Sequence, residues 1–326
     1  MTAKFRTVVI GFGQIGGGQA LDPVMARYFN YATHAQVLKE HPRFLWEAVI
    51  DPSESALKTA REKWKVPITA QKIEQIEKDI NFDVAIIATP PDKRLDILHA
   101  LSGIKAVFVE KPLGVTFNDS RTFLDACSSR GIKVQVNFWR RGDEFFRSLA
   151  AGELEKLIGH PLAAFGIYGN GLMNNGSHII NFTQMLLGEI KETQILSPKT
   201  SFIEGPIAGD RNVHFSLCFK KGFNAVFQAI SFGSFREVGL DIWGEKGRLC
   251  MLQESLGIHF FPRKKNRAIN NEWEIASDEP EIFKPTCGNA LYHLYDNLAQ
   301  ALDERDVLWS SGEKALLTEK VVHELL

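Results

Sequence analysis

The chain has 326 residues, enough for two domains that each bury a core. Apolar residues make up 44% and charged residues 24%, the balance of a soluble globular protein, and 38 Lys and Arg against 39 Asp and Glu leave a net charge of −1. That near-neutrality excludes a general attraction to nucleic acid or to an anionic membrane.

The four cysteines, Cys127, Cys218, Cys250 and Cys287, lie far apart with no C-x-x-C pair. This argues against a zinc site or a disulfide framework and suits a reducing cytoplasm. No metal-ligand set stands out. No apolar run approaches the roughly 18 residues of a membrane span. The first strand begins too early to leave room for a signal peptide.

Residues 7–10 are a short β-branched strand that runs into Gly11-Phe12-Gly13-Gln14-Ile15-Gly16. The spacing is G-x-G-x-x-G, the loop that lets a backbone approach a pyrophosphate. Gly11 makes the turn, Gly13 leaves room for phosphate oxygens, and Gly16 lets the next segment pack closely. A helix start just beyond would point N–H groups at the phosphate charge. A second strand, residues 45–50, ends in Asp51, placed to accept from the adenosine ribose hydroxyls and to repel a 2′-phosphate. The pattern favours NAD and does not exclude NADP. Asp51 lies 35 residues after Gly16, where about 20 is usual. The first crossover helix is therefore expected only at 33–40. The loop before it is either part of the cofactor pocket wall or a surface insertion.

A helix over 56–64 stops at Val66-Pro67, and a short polar helix is expected at 71–78. The apolar run 82–88 reads as a strand buried on both faces and ends in Thr89-Pro90-Pro91, at the sheet edge where ligands bind. A helix at 93–101 leads to a strand at 106–109, followed by Glu110-Lys111-Pro112. Asn118-Asp119 start a helix to about residue 129 with Gly131 past its end, and 133–138 is a further strand. This β-α alternation predicts a doubly wound parallel sheet.

The pattern then changes. Alternating runs at 162–168, 212–219, 224–232, 237–243, 248–253 and 258–262, joined by tight turns, predict a large, mostly antiparallel sheet. Helices are expected at 177–187, 289–302 and 313–325, the last packing on either domain. The basic run 263–267 reads as a solvated turn. The fold class is α/β, with a Rossmann-like domain at 1–138 and a second α/β domain with an open sheet at 139–326.

Two residues suit acid–base chemistry. Lys111 follows a buried strand at the binding edge, and a lysine beside a cationic nicotinamide would have its pKa lowered. His178 starts a helix after Asn174-Asn175-Gly176-Ser177, and Asn181 shares its face. Ile179, Phe182 and Leu186 would point into the core. Hydride transfer from an alcohol needs a group that takes the hydroxyl proton and donors that hold the oxygen. Taken alone, a lysine after a strand is ordinarily solvated and a histidine at a helix start ordinarily caps.

The stretches Gly11–Gly16, Ala88-Thr89-Pro90-Pro91, Glu110-Lys111-Pro112-Leu113-Gly114 and Gly176-Ser177-His178-Ile179-Ile180-Asn181, with Leu187-Gly188 closing the helix, stand in the order in which they occur in one family. The sequence resembles the glucose–fructose oxidoreductase, inositol dehydrogenase and rhizopine-catabolism (Gfo/Idh/MocA) family of NAD(P)-dependent oxidoreductases. The resemblance implies Lys111 and His178 as catalytic residues, and Glu110 beside the nicotinamide ribose. It adds Gly11, Phe12, Gly13, Gln14, Ile15, Gly16, Asp51, Thr89, Pro90, Pro91, Arg94, Lys111 and Asn137 as cofactor contacts. Arg140, Arg141, Asn174, Asn175 and Asn181 are the expected substrate contacts. It also implies a small carbohydrate-like substrate, either a sugar, a sugar derivative or a cyclitol. A homodimer or homotetramer through the second sheet is expected as well.

Three departures stand against it. Asn174 and Asn181 replace aspartates common in the family, and an amide cannot relay a proton as a carboxylate does. Arg94 stands where a histidine is common, and either reaches the cofactor or faces water. The loop after Gly16 is long. Loss of both carboxylates makes a non-catalytic NAD(H)-binding regulator the alternative. Hydrolysis or elimination through transient oxidation by tightly held NAD is a third option.

Overall fold

The computed structural model describes residues 4–76, 80–197, 201–275 and 278–326. The chain divides into two compact units, one of residues 1–143 and 288–316, the other of 144–287 and 317–326.

The first unit begins with β1 (Phe5–Ile10). Its first regular helix is α1 (His34–Glu40), started by a capping box in which Thr33 and Gln36 satisfy each other's backbone. Then follow β2 (Phe44–Ile50), α2 (Glu54–Glu62), β3 (Ile68–Ala70), β4 (Val84–Ile87) and α3 (Arg94–Ala100). The segment closes with β5 (Ala106–Val109), α4 (Phe117–Ser129) and β6 (Lys133–Val136). Among the described residues they form a parallel sheet ordered β3-β2-β1-β4-β5-β6, the doubly wound sheet expected.

Two details differ from expectation. The three-residue β3, too short to read in the sequence, pairs with the end of β2. The helix expected at 71–78 shrinks to one tight turn at Ile73–Gln75, because the Gln75 side chain accepts from Gln71 N and Lys72 N and closes the turn on itself. Residues 77–79 of that expected helix lie outside the described residues.

In the second unit come α5 (Glu144–Ser148), α6 (Leu154–Ile158), β7 (Pro161–Tyr168) and α7 (Ser177–Leu187). Next are β8 (Ile190–Ile195), β9 (Phe202–Ile203), β10 (Arg211–Asn212), β11 (Phe215–Phe219) and β12 (Asn224–Ala229). The run ends with β13 (Gly239–Gly244), β14 (Gly247–Leu252), β15 (Gly257–Lys265), β16 (Trp273–Ile275) and β17 (Glu281–Phe283). The main sheet runs β16-β15-β14-β13-β7-β12-β11-β8, with β17 on β15. It is mostly antiparallel, but β12 runs parallel to β7 at its centre. The strand expected at 212–219 is interrupted at Val213. The buried Tyr168 hydroxyl accepts from Val213 N at 2.8 Å and donates to Val213 O at 2.6 Å, and so takes both groups a neighbouring strand would use. The basic run is not all turn, since Arg263, Lys264 and Lys265 pair with β16.

The chain then returns to the first unit with α8 (Ala290–Leu302) and ends in α9 (Gly312–Glu324). In the first unit, strand side chains alternate between two cores. Val84, Ile86 and Phe108 face α1, α2 and α8, whereas Ala85, Ile87, Val107 and Val109 face α3 and α4. The second unit packs α7 and the end of α9 on one face of its sheet. Among the described residues no helix is long and apolar enough to cross a membrane.

Phe227 stacks on Phe215 with ring centroids 4.7 Å apart, and a Cβ on Gly166 would come within 2.4 Å of its ring. No side chain can fill the space from that side. Phe227→Ala is expected to lower stability by about 3–5 kcal/mol, read as the shift in urea-unfolding midpoint at unchanged m-value.

Candidate functional site

The loop after β1 is built around glycine for two different reasons. Gly11 has φ +87°, and a Cβ there would sit 2.7 Å from Ala88 O. A Cβ on Gly16 would sit 2.9 Å from Gly11 O. Gly13 has no such conflict: a Cβ there would meet nothing within 4 Å. Its bareness is not required by the protein's own packing, so it leaves a cradle for a ligand group. The chain beyond makes one wide turn at Gln14–Gly18, with Gly17 N and Gly18 N both donating to Gly13 O at 3.1 Å. The expected helix start is thus a single turn, and the crossover helix comes only at α1, where the sequence placed it. Asp51, 9% exposed at the end of β2, accepts from Phe12 N at 2.6 Å and Ser53 N at 2.8 Å. It braces the glycine loop against the strand.

The carboxyl ends of β4, β5 and β6 bring Thr89, Glu110, Lys111 and Asn137 to the same sheet edge. Arg94 does not face water. It is 2% exposed, and its guanidinium donates to the carbonyls of Thr89, Glu110 and Pro112. Lys111 is half-buried between two of those carbonyls, and the Lys111–Pro112 peptide is cis. Glu110 Oε1 receives His34 Nε2 at 3.0 Å and Asn137 Nδ2 at 2.6 Å. Burial pushes the Glu110 pKa up, but the hydrogen bonds from His34 and Asn137 and the Lys111 charge outweigh it and hold the carboxyl below its ordinary range.

Thr89 Oγ1 and Asn137 Oδ1 are buried and have no partner among the described residues. Orphaned polar atoms at this edge, with the open cradle at Gly13, are what a dinucleotide's hydroxyls and phosphates would satisfy. The residues present fit the group. Pro90 is exposed and Pro91 half-buried beside Thr89, and Gln14 is exposed and Ile15 half-buried after Gly13. Arg140, 4% exposed, lies over the Trp139 ring at 4.3 Å. Burial lowers the Arg141 pKa to about 10.

In the second unit, Leu172–Gly176 form a wide turn that leads into α7. The turn is held by Asp210, whose carboxylate accepts from Met173 N and Asn174 N, each at 3.0 Å. Burial raises the Asp210 pKa despite these and further backbone donors from Arg211 and Leu172. Asn174 donates its amide to Asn170 O at 3.2 Å. Asn175 Nδ2 is buried without a partner among the described residues. His178 is half-buried at the start of α7. Asn181, expected on the substrate side, is 2% exposed and donates to Thr318 Oγ1 of α9 at 2.9 Å. The structure therefore gathers Asn174, Asn175 and His178 on one turn and helix start and places Asn181 in the core.

Sequence reading missed His34, Tyr295 and Asp210. The Thr33-x-x-Gln36 pattern marks His34 as the first residue of α1, but nothing local ties it to Glu110. Asp210 sits in a glycine-rich loop 36 residues from Asn174 and carries no local signal.

Comparison with known proteins bears on the family and the fold. A family model described as "Oxidoreductase family, NAD-binding Rossmann fold" (GFO_IDH_MocA) matches residues 5–138. The trans-1,2-dihydrobenzene-1,2-diol dehydrogenase of Mus musculus is 28% identical over 151 residues, 41% of this chain and 45% of that protein. The chain thus spans about half the length of that relative. The inositol 2-dehydrogenase of Acidothermus cellulolyticus is 23% identical over 286 residues, 83% of this chain and 81% of that protein. The fold resembles the WlbA dehydrogenase from Bordetella pertussis, solved in complex with NADH and UDP-GlcNAcA. Its TM-score is 0.71 at 16% identity, covering 99% of this chain and 95% of that one.

Gly11→Ala is expected to cost about 1–3 kcal/mol through backbone strain alone. Gly13→Ala should change stability by no more than about 0.5 kcal/mol yet weaken NADH binding at least several-fold. Thermal melts and NADH fluorescence titrations separate the two. A folded carboxyl held below its ordinary value contributes stability above that value and loses it as pH falls through the lowered one. Glu110→Gln should therefore flatten the acid-side loss of stability. Parallel urea-midpoint curves for the two proteins on acidification would refute this.

Proposed function

We propose that this chain, whose residues 5–138 match the Gfo/Idh/MocA model of NAD-binding oxidoreductases, is an NAD(P)-dependent dehydrogenase or reductase acting on a hydroxyl or keto group of a sugar, sugar derivative or cyclitol. The observation that carries the reading is the sheet edge itself. Gly13, where a Cβ would meet nothing within 4 Å, is followed along the carboxyl ends of the strands by Thr89 Oγ1 and Asn137 Oδ1, buried with no partner among the described residues. When bound, the nicotinamide supplies the hydride acceptor or donor. The glycine loop and Asp51 would hold its phosphate and adenosine portions, and Thr89, Glu110 and Asn137 the other half.

Lys111 is the group proposed to take or give the proton at the substrate oxygen. Arg94 holds the carbonyls on both sides of it, so the main chain that carries the lysine is pinned. His178 is proposed as the second acid–base group, on a turn that Asp210 fixes. Asn174 and Asn181 cannot relay protons, which leaves that work to Lys111 and His178. The relatives named as inositol and dihydrodiol dehydrogenases support an alcohol carbon as the reacting centre. Arg140, Arg141, Asn174 and Asn175 suit a polyhydroxylated ligand. Exposed Leu162 and Phe165 on β7 support pairing of copies through the second unit's sheet.

The test is turnover of a panel of cyclitols, sugars and sugar nucleotides with NAD and NADP. Lys111→Ala and His178→Ala are each expected to lower kcat by about 100- to 10,000-fold while NADH still binds. Undiminished turnover by Lys111→Ala removes that residue from the mechanism.

A further inference from the structure

Beneath Glu110 lies a buried polar chain that the acid–base reading does not use. The His34 ring is fully buried, edge-on to Phe108 at 5.2 Å. Its Nδ1 is 2.7 Å from the hydroxyl of Tyr295, which is also fully buried, and its Nε2 is 3.0 Å from Glu110 Oε1. Asn137 Nδ2 reaches the same Glu110 oxygen at 2.6 Å.

The direction of each bond follows from which atoms carry hydrogens. Glu110 is held as a carboxylate and can only accept, so His34 carries its proton on Nε2 and donates. Nδ1 and the Tyr295 hydroxyl, 2.7 Å apart, hydrogen-bond each other and fix the plane of the ring. His34 and Asn137 both donate to Oε1, and neither of these two bonds uses Oε2. The Asn137 amide is turned by the same bond, which leaves Oδ1 buried and without a partner among the described residues, on a residue 6% exposed.

The position of these two oxygens has a meaning in this sheet. The strand order is β3-β2-β1-β4-β5-β6, with the glycine loop after β1 and Asp51 after β2. A dinucleotide whose pyrophosphate lies at β1 and whose adenosine lies at β2 extends its other half toward β5 and β6. Glu110 ends β5 and Asn137 follows β6. Two acceptors side by side suit two hydroxyl donors, the vicinal diol of a ribose.

We propose that His34, locked by Tyr295, is a positioning residue that orients Glu110 and Asn137 as paired acceptors for the ribose diol on the nicotinamide side. This rests on the dinucleotide reading above. The capping box at Thr33 and Gln36 is part of the device, because it fixes His34 as the first residue of α1 and turns it inward. The long segment after Gly16 ends here, so it delivers the brace.

The test compares NADH with ADP, which lacks the nicotinamide half, by fluorescence and calorimetric titration of the whole chain. His34→Leu keeps the bulk and removes the donor; it should weaken NADH about tenfold or more and leave ADP within about twofold. His34→Gln restores a donor near Nε2 and should recover most of the NADH affinity. His34→Leu combined with Glu110→Gln should bind NADH no worse than Glu110→Gln alone, since both act on one group. Unchanged NADH affinity in His34→Leu overturns the inference, as do equal losses for NADH and ADP, failure of His34→Gln to recover, or penalties that multiply in the double variant. Wild-type protein that binds neither NADH nor ADP overturns the dinucleotide reading itself, a result distinct from all of these.

Discussion

One buried guanidinium sets the geometry on which the site depends. A parallel sheet leaves carbonyl oxygens at its carboxyl edge without strand partners, and these must be satisfied before the edge can hold anything else. Arg94, 2% exposed, donates to the carbonyls of Thr89, Glu110 and Pro112. It draws together the turns after β4 and β5 and pins the main chain on both sides of Lys111. A lysine could not do this, because its point charge lacks the planar fork that reaches three acceptors at fixed angles. Burying the charge is costly, and the charge-assisted hydrogen bonds offset that cost. Arg94 was the residue least settled by its position in the sequence, and it is the one on which the active-edge geometry rests.

With the carbonyls tied down, the side chains at the edge can present chosen atoms outward. On β1 and β2 the device is space and a brace: Gly13 leaves room, and Asp51 pulls the loop against the strand through Phe12 N. After β4 and β6 the device is buried oxygen without a partner among the described residues, on Thr89 and Asn137, and after β5 it is the Glu110 carboxylate held by His34 and Asn137. Room suits phosphate and acceptors suit hydroxyls, so the two stretches of one edge match the two kinds of chemistry in a dinucleotide. The second unit uses a different solution. There Asp210 satisfies the N–H groups of the turn that carries Asn174 and Asn175 into α7.

The long segment after Gly16 explains an otherwise odd feature of the first unit. It takes up chain that would usually be helix, so α1 is only seven residues long and covers little of the sheet. The uncovered strip over β1, β4 and β5 is filled by α8, which comes from residues 290–302. Leu291, Leu294 and Leu298 supply the packing, and Tyr295 brings its hydroxyl to His34. Core filling and site construction are therefore the same contact.

The sequence by itself determined the parallel sheet, the glycine loop, the late start of the crossover helix and the candidates Lys111 and His178. Each of these is written in local spacing: β-branched runs, glycines at fixed offsets, the long interval from Gly16 to Asp51, a Glu-Lys-Pro after a strand. Tertiary structure alone decided the rest. It placed Arg94 under three carbonyls, and Asn181 in the core against Thr318. It broke the strand at Val213 on the hydroxyl of Tyr168. It brought Tyr295 to His34 across 261 residues of chain. These depend on where a buried polar group finds its partner, and a buried donor takes whichever acceptor the packing brings within reach, whatever its distance along the chain.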